Sequence, residues 1–375
     1  MKLKITLLLA AAIFIFGCTS NKLASDDLAA YVDPFIGTDY HGHVFLGANV
    51  PFGAVQLGPT NFMSGWDWCS GYHYSDSLIT GFSHLHLSGT GIGDLGDISV
   101  MPYTGDLKLT PGSKENADEG FASRYSHDNE KATAGYYAVQ LEDYDIKAEL
   151  TASKRVGVHR YTFPKSENAH ISIDLTTGIG WDSPVEGFIE QIDDTTIVGY
   201  RFSKGWSKDQ RTWFAMRLSK PLSELQVYDQ DKLVGSKGKS KTITAILNFA
   251  TKANDAVTIK VGISPVSSEN ALENMRAEVP HWDFDAVAKE ARSAWNDELK
   301  KITVKTNSEE EARTFYTAMY HTMIAPIIFN DVNGDYRGTD KKVYKNAPFQ
   351  NYTIFSLWDT YRAAHPLFTI FQTDK

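Results

Sequence analysis

The 375-residue sequence contains few cysteines, only Cys18 and Cys69. Two thiols cannot form a disulfide framework, and if Cys18 is used for another purpose, Cys69 has no partner. We therefore expect the fold to be stabilised by its hydrophobic core.

The sequence also lacks an excess of positive charge. Lysine and arginine number 37 against 46 aspartates and glutamates, which gives a formal net charge of −9. Proteins that bind nucleic acids usually carry a basic patch or stripe, and no long basic run occurs here. The charge distribution argues against nucleic acid as a partner.

The first residues are typical of a bacterial export leader. Lys2 and Lys4 precede an apolar stretch at residues 5–16, which is too short for a mature transmembrane helix. Gly17 directly before Cys18 resembles a lipoprotein processing site. We expect a signal peptide at 1–17, lipidation of Cys18, a polar tether at 18–30 and attachment to a membrane of the bacterial cell envelope. An ordinary secreted chain and an uncleaved anchor are the alternatives.

Aromatic residues are abundant, with 8 Trp, 18 Tyr and 20 Phe, and hydrophobic residues make up 42% of the chain. This composition supplies a sizeable core, and the length is that of about two domains. Aromatic side chains of this number suit a large β-rich core or a surface that stacks on sugars.

Hydrophobic periodicity divides the chain into a β region and an α region. Alternation of apolar and polar residues predicts a large antiparallel β-sandwich at residues 31–265. The predicted strands are Tyr137–Leu141, Lys147–Ala152, Val156–Phe163, His170–Leu175, Thr196–Phe202, Thr212–Leu218, Thr242–Ala250 and Val257–Ile263.

The pattern becomes helical near Ser267. Helices are predicted at Glu269–Glu278, Phe284–Leu299 and Glu309–Ile328, the last with a capping box formed by Ser308 and Glu311. Residues 266–306 are predicted to be a helical linker, and residues 307–375 the start of a helical domain. The fold class is thus β plus α, in more than one domain.

The segment Trp66-Asp67-Trp68 combines two indoles with a carboxylate. A pyranose stacks its C–H face on an aromatic ring while a carboxylate accepts bonds from its hydroxyls. In an extended segment both indoles point to one side of the chain. The segment predicts a sugar-binding surface, with a buried core pair as the alternative.

Two histidine pairs, His41 with His43 and His84 with His86, have a spacing that places both rings on one face of a strand. Such pairs can bind zinc. No third ligand is evident, and the serines and threonine near His84 and His86 indicate a hydrogen-bonding surface instead. No metal site is predicted in the chain.

The segment from Asp331 to Asp335 superficially resembles a calcium loop. Its glycine falls at the fourth position, and Lys342 stands where a bidentate glutamate is required. We interpret Asn333-Gly334 as a tight hairpin turn between 327–331 and 335–337.

Near the end of the sequence, a helix is predicted to begin at Trp358 and Asp359, with Arg362 one turn later. Two interpretations remain open for this pair. The residues form an ion pair on one helix face, or Asp359 accepts hydrogen bonds from two sugar hydroxyls while Arg362 fixes its rotamer.

Three motifs in this order resemble glycoside hydrolase family 92, the calcium-dependent exo-acting α-mannosidases. They are Tyr31-Val-Asp-Pro-Phe-Ile-Gly-Thr38, Gly81-Phe-Ser-His-Leu-His-Leu-Ser-Gly89 and Ser356-Leu-Trp-Asp-Thr-Tyr-Arg362. The resemblance implies a β-sandwich, a helical linker and an (α/α)6 barrel, of which this chain would contain only the truncated start.

The same resemblance implies hydrolysis with inversion by a glutamic acid and an aspartate, with bound Ca2+ as cofactor. Those catalytic residues and calcium ligands are expected beyond Lys375, so none is assigned within the chain. Trp66 and Asp359 match family positions in the mannose subsite. Asp67, Trp68, His84, His86 and Arg362 are carried over as neighbours of that subsite.

The sequence therefore predicts an exo-α-mannosidase of the α-1,2 type, present as an inactive part of a longer enzyme and acting on mannose-containing glycans. The alternative is a non-catalytic carbohydrate-binding lipoprotein. A third interpretation keeps the enzyme and changes the sugar.

Overall fold

The computed structural model describes residues 27–222 and 225–375. The predicted signal peptide, the predicted lipidation residue Cys18 and most of the predicted tether lie outside the described residues. Where the chain is described, no helix has both the length and the apolar character needed to cross a membrane.

Twenty-three strands and five α-helices are described. The strands are β1 (Ala48–Asn49), β2 (Gln56–Thr60), β3 (Leu78–Ile79), β4 (Gly81–Ser83), β5 (Ser99–Thr104), β6 (Ser123–Arg124), β7 (Glu130–Thr133), β8 (Tyr136–Leu141), β9 (Ile146–Ala152), β10 (Val156–Phe163), β11 (Ser166–Asp174), β12 (Ser183–Gln191), β13 (Thr196–Lys204), β14 (Gln210–Leu218), β15 (Leu225–Asp229), β16 (Lys232–Gly235), β17 (Lys237–Ser240), β18 (Ile243–Thr251), β19 (Asp255–Ser264), β20 (Ile327–Ile328), β21 (Tyr336–Arg337), β22 (Val343–Tyr344) and β23 (Tyr352–Thr353). The helices are α1 (Ser268–Glu278), α2 (Phe284–Leu299), α3 (Glu309–Thr322), α4 (Leu357–Thr360) and α5 (Ala364–Phe371).

Most of the strands form two large antiparallel sheets. The first has the order β1-β2-β4-β5-β11-β18-β15-β16, and the second has the order β17-β12-β13-β14-β19-β10-β9-β8-β7. One large hydrophobic cluster draws its side chains from both sheets, including Ile171 and Leu247 from the first and Tyr161 and Phe214 from the second. The predicted sandwich and all eight predicted strands are confirmed.

The three predicted helices of the linker and the helical region are confirmed. The Asp283 side chain accepts a bond from the Ala286 N–H and so caps α2, which begins and ends at the predicted residues. Helix α1 packs closely on β19, where a Cβ added to Gly262 would lie 2.4 Å from the Ala271 carbonyl oxygen. Only glycine permits this approach of helix and sheet.

Helix α3 starts as predicted and ends sooner. The Ser308 hydroxyl accepts a bond from the Glu311 N–H at 3.1 Å, and the Glu311 carboxylate accepts one from the Asn307 N–H at 2.9 Å. The helix ends at Thr322 rather than residue 328, because the chain turns at Pro326 and then forms β20.

The tight turn at Asn333-Gly334 is confirmed, and the Asp331 N–H donates to the Asp335 carbonyl across it at 2.8 Å, but the flanking strands do not pair with each other. The Gly334 N–H donates to the Asp331 carbonyl at 2.9 Å. Strand β20 pairs with β23, and β21 pairs with β22, so the segments on either side of the turn have other partners.

A second hydrophobic cluster joins the helices to the sandwich. Trp295 of α2 is fully buried, donates its indole N–H to the Asn49 carbonyl at 2.8 Å and packs against Tyr320 of α3 with ring centroids 4.4 Å apart. The Phe52 N–H donates to the Met323 carbonyl at 2.8 Å, and the Phe52 carbonyl accepts from the Ile328 N–H at 2.9 Å. The helical region is thus held to the sandwich by both packing and backbone hydrogen bonds.

Substitution of Trp295→Ala should lower the free energy of unfolding by about 3–5 kcal/mol, because it leaves a cavity and an unpaired carbonyl in this cluster. Denaturant unfolding of the full chain measures the loss. Trp181→Ala is the matched control, since Trp181 is 66% exposed, and it should cost at most about 1 kcal/mol. Equal losses in the two variants would contradict the assignment of the junction to Trp295.

Candidate functional site

Residues Trp66–Trp68 form a single turn of 3-10 helix, not the predicted extended segment. The two indoles therefore do not share one face. Trp66 is 59% exposed, whereas Trp68 is half-buried. The correction follows from Gly65, whose φ of 130° lets the chain turn immediately before Trp66.

Asp67 lies between two imidazoles. Its Oδ1 atom is 2.6 Å from His41 Nδ1 and 3.3 Å from His43 Nε2. The hydrogen bond from His41 holds the pKa of Asp67 below its ordinary value of 3.8, with a smaller contribution from His43. The carboxylate is therefore ionised at neutral pH.

Glycine at position 42 makes this arrangement possible. A Cβ at Gly42 would lie 2.0 Å from the Gly37 carbonyl oxygen, so a side chain cannot be placed between the two histidines without moving the loop. The Val44 N–H also donates to the Gly37 carbonyl at 3.2 Å. The loop before β1 thereby directs both imidazoles towards Asp67.

The Trp66 indole is held at its edges. Its N–H donates to the Gly91 carbonyl at 2.8 Å, and the His43 ring packs against it edge-on with centroids 4.2 Å apart. The His41 ring is also close, at 5.6 Å. An exposed indole fixed beside a carboxylate and an imidazole has the features of a sugar-binding surface.

Trp68 already uses much of its surface within the protein. It stacks on His73 with centroids 4.3 Å apart, donates its N–H to Asp76 Oδ2 at 2.9 Å and lies 5.2 Å from the Lys114 ammonium. The next residue, Cys69, is a buried free thiol whose pKa burial raises to about 11. These two residues support the turn that presents Trp66.

His84 and His86 are buried, and in this structure neither is accessible to a sugar. His84 lies 2.7 Å from the Ile98 carbonyl through Nδ1 and 3.1 Å from His159 through Nε2, while His86 Nδ1 lies 2.8 Å from the Gln56 carbonyl. Burial lowers the pKa of both His84 and His86 to about 4. They are neutral groups that connect strands beneath the surface.

Asp359 and Arg362 do not form the ion pair that was one interpretation of their spacing. Helix α4 ends at Thr360, so the two residues are not on one continuous helix. Asp359 accepts a bond from the Ser356 hydroxyl, and the Arg362 guanidinium donates to the Tyr361 hydroxyl at 2.6 Å. Trp358 beside them is 86% exposed.

The structure does not bring the predicted residues together at one point. Within residues 27–222 and 225–375, no hydrogen bond, ion pair or ring contact joins Trp66 to Asp359 or Arg362. The contacts of Trp66 lie in the sandwich, and those of Asp359 lie in the helical region.

A cleft of about 850 Å³ lies between the sandwich and residues 327–354 and is lined by none of the predicted site residues. Most of its acidic oxygens have partners, but Asp94 Oδ1 is buried without a hydrogen-bond partner among the described residues. Asp209 pairs with Arg211 at 2.8 Å and lies 3.8 Å from Lys341, while Asp331 accepts bonds from Asn270 and Asn274, each at 2.7 Å. The surface at Trp66 combines an exposed indole with an ionised carboxylate and contains predicted site residues, so it is the candidate site developed below.

The resemblance places no calcium ligand among the described residues, so the predicted calcium requirement is not tested by them. Nowhere in the described ranges do three histidine, cysteine or acidic side chains converge as ligands. Asp335, near Asp331, accepts bonds from Asn270 at 3.0 Å and Lys345 at 2.6 Å, so its oxygens already face N–H donors.

The spacing of His41 and His43 in the sequence does not reveal their shared contact with Asp67. The spacing places both rings on one face of a strand, whereas the two residues lie in a loop and share one carboxylate. Asp67 is 26 residues from His41 and 24 from His43 in the chain, so local spacing contains no signal for this contact.

Comparison with known protein families gives two matches that together cover most of the chain. The glycosyl hydrolase family 92 N-terminal domain matches residues 31–264, and the glycosyl hydrolase family 92 catalytic domain matches residues 270–375.

Solved structures from the same family are similar in fold. A family GH92 α-mannosidase from Bacteroides thetaiotaomicron, solved in complex with mannoimidazole, shares 42% identity with a TM-score of 0.88 over 91% of this chain. An inverting GH92 mannosidase from Bacteroides thetaiotaomicron VPI-5482 shares 29% identity with a TM-score of 0.80 over 92% of this chain.

A curated relative is an uncharacterized secreted glycosidase of Arthroderma benhamiae, 28% identical over 90% of this chain. The matched region makes up 45% of that protein and 46% of each of the two mannosidase structures. The chain thus spans about half the length of these relatives.

The burial of His84 and His86 leads to a prediction of how the free energy of unfolding depends on pH. Their folded pKa of about 4 lies below the ordinary 6.5, so between these values the unfolded chain binds protons that the folded chain does not. The free energy of unfolding should therefore fall as pH decreases from 6.5 to 4, by up to about 1.4 kcal/mol per pH unit for each histidine. His86→Gln should reduce the change in the free energy of unfolding per pH unit by the contribution of one histidine.

Denaturant unfolding of wild type and His86→Gln at pH 7 and pH 5 measures the two slopes. Comparing slopes removes any constant loss of stability caused by the substitution itself. An unchanged slope would show that His86 is not held neutral in the folded chain.

Proposed function

This chain belongs to glycosyl hydrolase family 92, and on that premise we propose that it acts in the release of terminal mannose from glycans by an exo-α-mannosidase of the α-1,2 type, with inversion. The observation that carries the proposal is the exposed Trp66 indole fixed beside the Asp67 carboxylate. The named activities of the similar mannosidases support it.

The geometry at Trp66 suits a pyranose. One apolar face of a sugar packs against an indole, while its equatorial and axial hydroxyls need directional donors and acceptors beside the ring. Asp67 is ionised and supplies an acceptor, and the bonds from His41 and His43 fix its orientation. We assign Trp66 the stacking role and Asp67 a hydrogen-bonding role.

Asp359 is proposed as a second contact, from the helical region, to the terminal mannose. Its carboxylate is exposed and held by the neighbouring Ser356 hydroxyl. Arg362 packs on Tyr361 instead of pairing with Asp359, so it does not fix the Asp359 rotamer in this structure.

The calcium requirement remains a prediction from the family resemblance, because the described residues supply no ligand set for the ion. The lipid anchor at Cys18 and the cell-envelope location are likewise proposals. A secreted glycosidase among the relatives agrees with export of the chain.

A second candidate function is a non-catalytic carbohydrate-binding lipoprotein. It is favoured by one observation, that the Trp66 group is formed entirely by residues 41–91 of the sandwich. Such a surface binds sugar without any contribution from the helical region.

Substitution of Trp66→Ala should weaken binding of methyl α-mannoside by the full chain roughly five- to 150-fold, because it removes the stacking face, worth about 1–3 kcal/mol for a comparable ring-on-aromatic contact. Titration followed by ligand-observed NMR measures the affinity. Trp282→Ala changes an indole of the linker and should leave affinity unchanged. Equal effects of the two substitutions would contradict a sugar site at Trp66.

Incubated alone with an α-1,2-linked mannobiose, the 375-residue chain should release no measurable mannose. Binding groups without a positioned proton donor and an activated water lose several orders of magnitude in rate. Chromatography of the reaction products tests this prediction. Mannose release that disappears in Asp359→Asn would show instead that the chain contains a working acid and base.

A further inference from the structure

The imidazole of His41 lies at the edge of the Trp66 group and has one nitrogen unused. Its side chain is 72% exposed, and its Nδ1 atom contacts Asp67 Oδ1 at 2.6 Å. Among the described residues, Nε2 of His41 has no hydrogen-bond partner. The ring centre is 5.6 Å from that of the Trp66 indole.

The contact with Asp67 determines which His41 nitrogen carries the proton. An ionised carboxylate only accepts hydrogen bonds, so Nδ1 must be the donor. In the neutral ring, Nε2 then has no hydrogen and presents a lone pair to solvent. Asp67 is ionised at neutral pH, and the His41 bond lowers its pKa further below the ordinary 3.8.

His43 restricts the movement of the Asp67 carboxylate relative to the Trp66 indole. Its ring is buried, with a side-chain exposure of 6%, and its Nε2 lies 3.3 Å from the same Asp67 oxygen. It also packs edge-on against Trp66 at 4.2 Å. The Asp67 oxygen that orients His41 is therefore fixed relative to the indole.

We infer that His41 binds a hydroxyl of the mannosyl residue that stacks on Trp66, accepting its proton at Nε2, and that Asp67 is the positioning residue for this contact. The inference rests on the proposed function and names one additional determinant of sugar specificity. A ring hydroxyl at the edge of a stacked pyranose is the donor that an exposed imidazole lone pair beside an indole fits.

Two substitutions at position 41 separate the hydrogen bond from Nδ1 to Asp67 from the proposed hydrogen bond between Nε2 and the sugar hydroxyl. The amide of His41→Asn reaches the position of Nδ1, so it keeps a donor for Asp67 and loses the group at Nε2. The longer amide of His41→Gln reaches the position of Nε2 and loses the bond to Asp67. His281→Asn, on the linker between α1 and α2, is the control.

Affinity for methyl α-mannoside and for its monodeoxy analogues is measured at pH 7 by ligand-observed NMR, using the full chain. His41→Asn should weaken binding about three- to tenfold, the value of a single hydrogen bond. One monodeoxy analogue lacks the hydroxyl that His41 binds. Wild type should bind this analogue as weakly as His41→Asn binds methyl α-mannoside. His41→Asn should bind the analogue with the same affinity as wild type does. His41→Gln should retain part of the affinity, and His281→Asn all of it.

The histidine nitrogen signals give a test without sugar. In wild type the neutral His41 ring should carry its proton on Nδ1 and none on Nε2. In Asp67→Ala the two neutral tautomers should exchange, because the carboxylate acceptor is gone. A wild-type ring with the proton on Nε2 would overturn the inference.

The outcomes separate the inference from the proposed function. If wild type binds and Trp66→Ala does not, while His41→Asn binds as wild type with every analogue, the role of His41 is wrong and the mannose site stands. If wild type binds no mannoside, the proposed function fails, and the inference fails with it.

Discussion

The attachment of the helices to the sandwich depends on the backbone at Phe52. This residue has a φ of 57°, a left-handed conformation that non-glycine residues rarely adopt. The conformation is held because its N–H donates to the Met323 carbonyl and its carbonyl accepts from Ile328, on both sides of the turn that follows α3. Trp295 packs on the same junction through Asn49. The start of β20, and with it one wall of the large cleft, is placed by these contacts.

The regular elements were predictable because their signals are local. A period of two residues identifies a half-buried strand, and an Asp or Ser cap followed by a 3.6-residue period identifies a helix, so β10 and α2 have the bounds that the sequence predicts. Strand β12 was missed, since Pro184 and Gly187 lie within it and are poor strand formers. It forms because it pairs with β13 on one side and with the edge strand β17 on the other, a tertiary effect that no local pattern contains.

Less of the candidate site was predictable. The spacing of His84 and His86 shows that two side chains share a face, but not whether that face meets solvent or another sheet. The contact between His84 and His159 comes from a strand 75 residues later. The exposure of Trp66 was consistent with the sugar-binding interpretation, while the pairing of Asp67 with His41 and His43 depends on a loop conformation set by Gly42. The residue types in the sequence thus indicate a function, whereas the geometry of the site is determined by contacts between distant segments.

The interaction between Asp67 and His41 contributes orientation more than stability. Ion pairs and hydrogen bonds this exposed add little to the free energy of folding, because water competes for both partners. Their value at a binding surface is different, since a side chain already held in one rotamer loses less entropy when a ligand binds.

Both imidazoles contact Oδ1 of Asp67, and Oδ2 has no hydrogen-bond partner among the described residues. The arrangement therefore leaves two oriented acceptors, Asp67 Oδ2 and His41 Nε2, beside one exposed indole. Neighbouring hydroxyls on one edge of a pyranose provide two donors at a fixed separation, so a pair of fixed acceptors selects for their relative configuration in a way that a single flexible acceptor does not.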